Sequence, residues 1–315
     1  MEYWNEMKSG SNLEKVLESG QFAVTAEVGP PKGTDLKAIE RKGEMLRPCC
    51  DAVNITDNQT AITRAASLAC CIKLQQMGIE PVMQIVVRDR NRIAIQGDVL
   101  GAIGWGIKNM LCLSGDHQKF GNHPQAKGCY DIDSIQLIGV LKKMRDEGKF
   151  QSDDKFSGQA PMFIGAAANP YADPFEFQVV RLAKKVTAGA SFIQTQAVFD
   201  VPKFARFMEM VRERGLDQQV HILAGIIPVK SLGMAKYMRD SVAGVEVPDA
   251  IITRLAGAKD VKEEGLNLAV EMVQQIREIP GVHGIHIMAV GWEDIVPSLV
   301  EKCGLMPRPV VADAA

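Results

Sequence analysis

Short apolar segments alternate with longer amphipathic segments along the whole chain. Eight short segments are rich in β-branched and other apolar residues, and they are predicted to be strands over residues 22–28, 52–56, 81–87, 109–114, 162–168, 192–198, 221–227 and 284–290. Several are apolar at nearly every position, a pattern typical of parallel strands that are buried on both faces. The pattern therefore predicts a sheet of eight parallel strands.

The segments between these strands have the apolar spacing of helices. They are predicted over residues 35–46, 63–77, 90–103, 133–147, 174–188, 201–214, 232–241 and 260–279, and a last helix is predicted over 292–303. Eight strand–helix units predict an α/β fold, and a single-domain, closed (β/α)₈ TIM barrel fits this count best. An open doubly wound sheet is the alternative, although no G-x-G-x-x-G sequence follows the first strand. We expect residues 1–305 to form the barrel and residues 306–315 to form a flexible tail.

Composition and charge narrow the classes of function. The 315 residues are 46% hydrophobic with a formal net charge of −2. No basic run suggests nucleic acid as a partner, so small molecules are the expected ligands. No apolar run reaches the roughly 18–20 residues that span a bilayer, and the first 20 residues lack the apolar core of a signal peptide. We therefore expect a cytoplasmic protein without a membrane partner, and an oligomer if the outer helix faces are apolar.

The seven cysteines do not have the spacing of zinc ligands. Two pairs are adjacent in sequence, and adjacent cysteines are poor disulfide partners. We expect reduced, mostly buried thiols and no metal site.

Two carboxylates lie at the carboxyl ends of apolar strands, where active sites of this fold lie. Glu27 is flanked by apolar residues and precedes the Pro30-Pro31 turn. Desolvation disfavours the charged form of such a carboxyl group, as a general acid requires. The alternative is a structural acid that binds nearby backbone. Asp116 follows Gly115 after the fourth strand and is either a site carboxylate or a helix cap.

Amide and hydroxyl side chains accompany the two acids. Thr56 ends the second predicted strand, Gln84 lies on the third, and Asn169 follows the fifth. Gln194 and Gln196 alternate on the sixth strand and therefore point to the same face. Two such amides suggest a site for a polar heterocycle. The residues alone predict a barrel enzyme with carboxylate acid–base groups and a large heterocyclic ligand.

Six segments at these strand ends, in this order, resemble the methylenetetrahydrofolate reductase family. They are AEVGPP (26–31), NIT (54–56), LSGD (113–116), KVTAGA (185–190), TQAVFD (195–200) and GIIPV (225–229). The resemblance covers roughly residues 15–306. It implies a flavin, FAD or FMN, at the carboxyl face of the barrel, and reduction of 5,10-methylenetetrahydrofolate to 5-methyltetrahydrofolate.

The resemblance also implies roles for matching residues. Glu27 matches the general acid that protonates N10 of the folate. Asp116 matches a carboxylate beside flavin and pterin, whose charge stabilises the cationic iminium form of the substrate. Gln196 matches the amide that holds the folate, and Thr56 matches a hydroxyl beside the flavin. Further flavin contacts are implied for Gly115, Gln178, Arg181, Lys184 and Lys185, although a solvated helix face is the alternative for the two lysines.

Four positions depart from the pattern of the better-known bacterial members. Ser114 stands in place of an arginine, Gln84 in place of a histidine, Asn169 in place of a tyrosine, and Leu232 in place of an aromatic residue. We assign the first three to flavin contacts and Leu232 to the folate. Because these positions help to hold the flavin or the nicotinamide donor, we hypothesise that electrons come either from NAD(P)H or from a partner redox subunit, as in the multisubunit reductases of anaerobes.

Two other functions compete with this one. A flavin-free pterin-binding barrel, such as a folate-dependent methyltransferase, would explain the acids and amides but not the Lys184-Lys185 pair. A non-enzymatic scaffold would need none of Glu27, Asp116 and Gln196. Cofactor content separates the three hypotheses.

Overall fold

The computed structural model of the chain describes residues 7–242 and 244–311. Eight parallel strands follow one another in sequence order and close into a barrel, with β8 paired to β1. They are β1 Ala23–Val28, β2 Ala52–Ile55, β3 Pro81–Val86, β4 Asn109–Leu113, β5 Phe163–Ala168, β6 Phe192–Ala197, β7 His221–Ile226 and β8 Gly284–Ile287. The predicted single-domain (β/α)₈ barrel is confirmed, and the open doubly wound sheet is wrong.

Helices surround the strands and connect them. They are α1 Asn12–Glu18, α2 Lys37–Leu46, α3 Ser67–Gln76, α4 Arg92–Gly104, α5 Ser134–Glu147, α6 Phe175–Ala188, α7 Val201–Glu213, α8 Leu232–Ser241, α9 Asp249–Gly257, α10 Val261–Arg277 and α11 Val296–Lys302. The sequence pattern predicted these helices except α1 and α9. Both are short, so few apolar positions recur in them at helical spacing.

Local sequence explains where the helices begin and end. Asp133 precedes α5 and accepts a hydrogen bond from the backbone of Gln136, whose side chain binds the Asp133 backbone in return. This capping box satisfies two amides at the start of the helix. Gly148 ends α5 at φ 63°, in the left-handed region that glycine enters without steric cost.

The amino-terminal end of the barrel is filled by apolar side chains. Leu13, Val16 and Leu17 of α1 pack against residues that point into the barrel from the strands, namely Ala23, Ala52, Val82, Leu111, Phe163, Phe192 and Leu223. The rings of Phe163 and Phe192 stack with centroids 5.0 Å apart. Helix α1 therefore closes this end, and a ligand can enter the barrel from the carboxyl end.

The carboxyl-terminal segment is tied to the barrel. Arg308 donates to both carboxylate oxygens of the buried Asp51, at 3.0 and 2.6 Å. It also donates to the carbonyl oxygens of Phe22 and Leu305. The predicted tail, residues 306–315, therefore includes an anchored arginine, and residues 312–315 lie outside the described part. The boundary at residue 305 stays a prediction.

All seven cysteines are free thiols, and Cys49, Cys70, Cys71, Cys112 and Cys303 are buried. In residues 7–242 and 244–311, no group of three or more histidine, cysteine or acidic side chains could hold a metal ion. Over the same described residues, no helix has both the length and the apolar character needed to cross a membrane.

Candidate active site

A cavity of about 780 Å³ opens at the carboxyl ends of the strands. Its walls contain most of the residues that the sequence pattern and the resemblance singled out. They are Glu27, Thr56, Gln84, Ser114, Gly115, Asp116, Asn169, Gln178, Arg181, Lys185 and Gln196. Residues from six strands or the loops after them thus meet at one place, as the barrel geometry requires.

Two predicted site residues do not line this cavity. Lys184 is exposed on α6, next to the half-buried Lys185 that does line it. Leu232 begins α8 and packs against the hydrophobic core outside the barrel. The structure therefore does not bring Lys184 or Leu232 to the other candidates.

Glu27 lies at the carboxyl end of β1 with 22% of its side chain exposed. Gln84, on β3, donates its side-chain N–H to Glu27 Oε2 at 3.0 Å. The Nε2 atom of His286, on β8, lies 3.8 Å from the same oxygen. The Glu27 carboxyl group is thus held on one oxygen, and the other oxygen remains available at the cavity wall.

His286 takes part in a polar network below Glu27. Its Nδ1 atom lies 2.9 Å from the hydroxyl of Thr25. The side chain of Gln194 donates to the same hydroxyl at 3.1 Å and exchanges two hydrogen bonds with the Asn54 amide. His286 is buried, and the Thr25 hydroxyl is its partner in this network. It also lines the cavity, which the sequence pattern did not indicate.

The two glutamines of β6 have different surroundings. Gln194 is buried, and its amide is used within the network below Glu27. Gln196 is half-buried nearer the mouth, and its side-chain carbonyl accepts the Ala197 backbone N–H at 3.0 Å. The NH₂ group of Gln196 is therefore the end that a ligand can use.

Three other predicted site residues already have hydrogen-bond partners within the protein. The Ser114 hydroxyl lies 3.2 Å from the Ser134 hydroxyl. The side-chain carbonyl of Asn169 accepts the Tyr171 N–H at 2.9 Å. The Thr56 hydroxyl donates to Gln59. These side chains shape the wall and can also contact a ligand, because hydroxyl and amide groups each make more than one hydrogen bond.

Asp116 is exposed at the mouth of the cavity. It follows Gly115, whose φ of 81° lies in the left-handed region. A β-carbon added at Gly115 would lie only 3.1 Å from the side chain of Val86, which is a tight contact. One Asp116 carboxylate oxygen accepts the Thr60 backbone N–H at 3.2 Å. The Asp116 backbone carbonyl accepts a hydrogen bond from Arg88 at 3.0 Å. Glycine is therefore needed before this aspartate, and two neighbouring loops fix its position.

The charged run after β3 was missed by sequence reasoning. Arg88 is only 2% exposed and lines the cavity. Arg90 binds Asp57, a second cavity residue that also accepts the Val86 backbone N–H. Desolvation raises the pKa of Asp57, and the charge of Arg90 opposes that rise. Arg88 and Arg90 directly follow an apolar strand, as Asp116 does, and this position was the sequence signal that could have identified them as site residues.

One wall of the cavity is basic. Gln178, Arg181 and Lys185 succeed one another on α6 at spacings of three and four residues, so they share one helix face. Lys185 donates to the Ala167 carbonyl, and its burial, together with the charge of Arg181, lowers the pKa of the amine to about 8. Pro174 precedes α6 without a side-chain cap, and its carbonyl accepts the Phe177 N–H at 3.1 Å, so the N–H groups of Phe175 and Glu176 are the ones open to a ligand. This wall suits an anionic group.

The sequence of the chain is similar to those of known proteins. A sequence model of methylenetetrahydrofolate reductase matches residues 12–304. The 5,10-methylenetetrahydrofolate reductase of Salmonella typhimurium is 26% identical over 301 residues, which cover 91% of this chain and 93% of that protein. Methylenetetrahydrofolate reductase 2 of Schizosaccharomyces pombe is 27% identical over 327 residues, and the match covers 96% of this chain but 48% of that protein.

A solved structure shares the fold. It is an uncharacterized protein from Clostridium thermocellum that binds two copies of 5-methyl-5,6,7,8-tetrahydrofolic acid. Its TM-score is 0.65 at 13% identity, and the match covers 92% of this chain and 97% of that protein. At this identity the likeness concerns the fold alone, whereas the family match spans nearly the whole sequence. The chain therefore belongs to the methylenetetrahydrofolate reductase family, a family of oxidoreductases.

Proposed function

We propose that this chain reduces 5,10-methylenetetrahydrofolate to 5-methyltetrahydrofolate, with Glu27 as the general acid and a flavin as the hydride carrier. One observation carries the proposal within the family match. The carboxyl group of Glu27 lies in the wall of a large cavity, with Gln84 and His286 on one of its oxygens. A second carboxylate, Asp116, lies at the mouth of the same cavity.

The residues of the cavity fit a flavin nucleotide. The volume of about 780 Å³ lies within the range of roughly 300–1,000 Å³ that is usual for cofactor and ligand sites. Arg181, Lys185 and the open amino end of α6 suit its phosphate. Further contacts of the flavin fall to residues around the wall, namely Thr56, Gln84, Ser114, Gly115, Asn169 and Gln178. FAD and FMN share the parts that these residues would hold. When bound, the flavin supplies the hydride that the one-carbon unit takes up.

Glu27 supplies the proton that ring opening needs. The bond between N10 and the methylene carbon of the folate breaks, the electron pair of that bond stays on N10, and N10 takes a proton from Glu27. The Gln84 N–H already donates to Oε2 of Glu27, so it stabilises the carboxylate that proton transfer leaves behind. The other oxygen, Oε1, is the one that we assign to the transfer.

Asp116 and Gln196 act on the opened substrate. Ring opening leaves a positive charge on the N5 iminium group, and the Asp116 carboxylate stabilises a cation at the cavity mouth. The NH₂ group of Gln196 holds a polar edge of the pterin. Lys184 and Leu232 have no part in this proposal, because neither lines the cavity.

The first experiment is an absorbance spectrum of the purified chain, followed by anaerobic addition of NADH. Flavin bands that NADH bleaches would support a self-sufficient reductase. Bands that persist with NADH and bleach with dithionite would support a partner redox subunit as the donor. If the isolated chain oxidises NADH at a rate that matches folate reduction, the hypothesis of a partner subunit is wrong. A colourless chain that binds neither FAD nor FMN would overturn the flavin proposal and favour a flavin-free pterin-binding barrel.

The substitution Glu27→Gln separates proton transfer from hydride supply. We expect this variant to keep its flavin, which dithionite still reduces, and to lose folate reduction, since only ring opening needs the proton. Flavin content and single-turnover reduction of the folate are the measurements. Loss of the flavin itself, or folate reduction at the wild-type rate, would contradict the role of Glu27.

A further inference from the structure

Arg88 is the bulkiest of the almost completely buried side chains. It follows β3 and reaches the wall of the cavity rather than solvent. The family resemblance assigns it no role. A buried arginine is costly unless all of its charge and its N–H groups find partners, so its contacts indicate what it does.

The guanidinium of Arg88 joins three loops at the carboxyl end of the barrel. It donates to both carboxylate oxygens of Asp89, each at 2.7 Å, after β3. It donates to the backbone carbonyl of Asn58, after β2, at 3.1 Å. It donates to the backbone carbonyl of Asp116, after β4, at 3.0 Å. The planar fork of five N–H groups in arginine allows these bonds to form together.

The loop after β2 needs such support. Asn58, Thr60 and Ala61 have φ values of 42°, 56° and 55°, in the left-handed region that non-glycine residues rarely adopt. A segment of this kind persists when surrounding contacts hold it. Arg88 binds the loop at Asn58, and two residues later the Thr60 N–H donates to the carboxylate of Asp116.

Arg88 therefore holds Asp116 in two ways. It binds the Asp116 backbone directly, and it fixes the loop whose amide orients the Asp116 carboxylate. Its positive charge is paired with Asp89, and its contact to Asp116 is through the backbone carbonyl. The guanidinium thus orients the aspartate without forming an ion pair with its carboxylate.

We propose that Arg88 is the positioning residue of Asp116. The kinetic consequence rests on the proposed function, in which the Asp116 carboxylate stabilises the cationic form of the substrate. Electrostatic stabilisation of this kind depends on preorganised placement, and displacement by about 1 Å can cost roughly 10²-fold in rate. The geometric part of the proposal, a loop held by Arg88, does not require any activity.

The test compares Arg88→Lys with Arg308→Lys. Lysine keeps the charge but, as a compact point charge, cannot replace the planar fork. Arg308 is a matched control at the opposite end of the barrel, because it also binds one aspartate, Asp51, and two backbone carbonyls. Two quantities are measured in each protein. The first is hydrogen exchange of the segment 57–63, and the second is kcat for folate reduction, with and without Asp116→Asn.

We expect Arg88→Lys to accelerate exchange in segment 57–63 by roughly tenfold, the scale of one hydrogen bond to a charged group. We expect it to lower kcat by roughly tenfold or more, and to cause no further decrease when Asp116→Asn is present. Arg308→Lys should change neither quantity. Unchanged exchange in Arg88→Lys, or an equal loss of kcat with and without Asp116→Asn, would overturn the proposal.

Two further outcomes are separable. A wild-type chain that reduces no folate with any donor would overturn the proposed function, and the exchange comparison alone would then decide whether Arg88 holds the loop. If Arg88→Lys does not fold, Asp89→Asn replaces it. This change removes the charge that orients the guanidinium, while the asparagine carbonyl can still accept the hydrogen bond that the Asn58 side chain donates to Asp89 at 3.2 Å. Exchange in segment 57–63 should then rise by a smaller factor, and no rise would overturn the proposal.

Discussion

Lys185 is a half-buried lysine on the basic wall of the cavity. Desolvation is the main cause that lowers its pKa to about 8, and the Arg181 charge adds to it. Cys112 and Asp133 also face the amine and act in the opposite direction. The charge of Lys185 therefore changes within a range that can be studied in solution, well below the usual pKa of a lysine.

Binding of FMN should consequently depend on pH. We expect its affinity to fall by roughly tenfold between pH 7 and pH 9, because the amine loses its proton through about pH 8 while the phosphate keeps its charge. Lys185→Gln should bind FMN weakly at both pH values. Fluorescence titration measures the affinity. Riboflavin, which lacks the phosphate, should show no such trend.

The same titration tests the neighbouring lysine. Lys184 is exposed and does not line the cavity, so Lys184→Gln should bind FMN with the affinity and pH dependence of the wild type. A pH dependence that survives in Lys185→Gln and disappears in Lys184→Gln would reverse the assignment of the two residues.

Asp116 is expected to act through its charge. Asp116→Asn keeps the size of the side chain and an acceptor for the Thr60 N–H, so the fold and flavin binding should persist. Folate turnover should slow by roughly 10²-fold, the scale of one electrostatic contact in a transition state. Stopped-flow oxidation of the reduced flavin by folate gives the rate. An unchanged rate would contradict an electrostatic role for Asp116.

Individual site residues could be predicted where a polar side chain interrupts an apolar strand. Glu27 and Gln196 are polar residues within apolar strands, and the structure places both at the cavity. Arg88 was missed although it directly follows an apolar strand, because the run from 88 to 92 contains three arginines and resembles a solvated turn. Its inward direction depends on carbonyls of two loops that are distant in sequence.

At the level of elements, the apolar pattern was sufficient for every strand. Each predicted strand overlaps an observed one, and most differ from it by one residue at an end. The strand predicted over 284–290 ends at Ile287, although residues 288–290 are also apolar. Val290 has a φ of 33°, a left-handed conformation that an extended strand does not have. Loop geometry could not be predicted, since the left-handed residues after β2 are neither glycines nor consistently asparagine or aspartate.

Packing between β5 and β6 requires a glycine. A β-carbon on Gly165 would overlap the ring of Phe192, which stacks on Phe163. We therefore expect Gly165→Ala to lower the free energy of unfolding by about 1–3 kcal/mol, as overpacking of a core does. Urea unfolding measures the change, and the double variant with Phe192→Leu should recover part of it.

A glycine in open space provides the control for that prediction. Gly139 lies within α5, and a β-carbon there would meet nothing within 4 Å. Gly139→Ala should raise the free energy of unfolding by up to about 1 kcal/mol, because alanine favours the helix. Equal effects of the two substitutions would show that backbone preference, and not contact with Phe192, decides the result at Gly165.

The two ends of the barrel differ in their side chains. The carboxyl end holds the cavity and most of the polar network, whereas α1 and its apolar contacts close the amino end. Polar groups near the closed end are therefore expected to influence stability rather than chemistry. His283 is one of them, since it directly precedes β8 at this end of the barrel.

His283 should make the stability of the molecule sensitive to acid. Burial, together with the nearby His221, lowers the pKa of His283 to about 4, while Asp217 and Glu18 oppose this shift. Its Nδ1 atom accepts the Ile222 N–H at 3.2 Å, a bond that only the unprotonated ring atom can make. In the unfolded chain the pKa returns to about 6.5. The unfolded state therefore binds the proton first as the pH falls.

The contribution of His283 to stability is thus complete above about pH 6.5 and is lost as the pH falls towards 4. We expect His283→Gln to flatten the decrease in melting temperature between pH 7 and pH 4.5 by a few degrees, since glutamine does not titrate. Thermal unfolding at several pH values measures this. His123→Gln, at an exposed histidine, should follow the wild type. If His283→Gln loses as many degrees as the wild type over this range, other groups cause the acid sensitivity and His283 does not contribute to it.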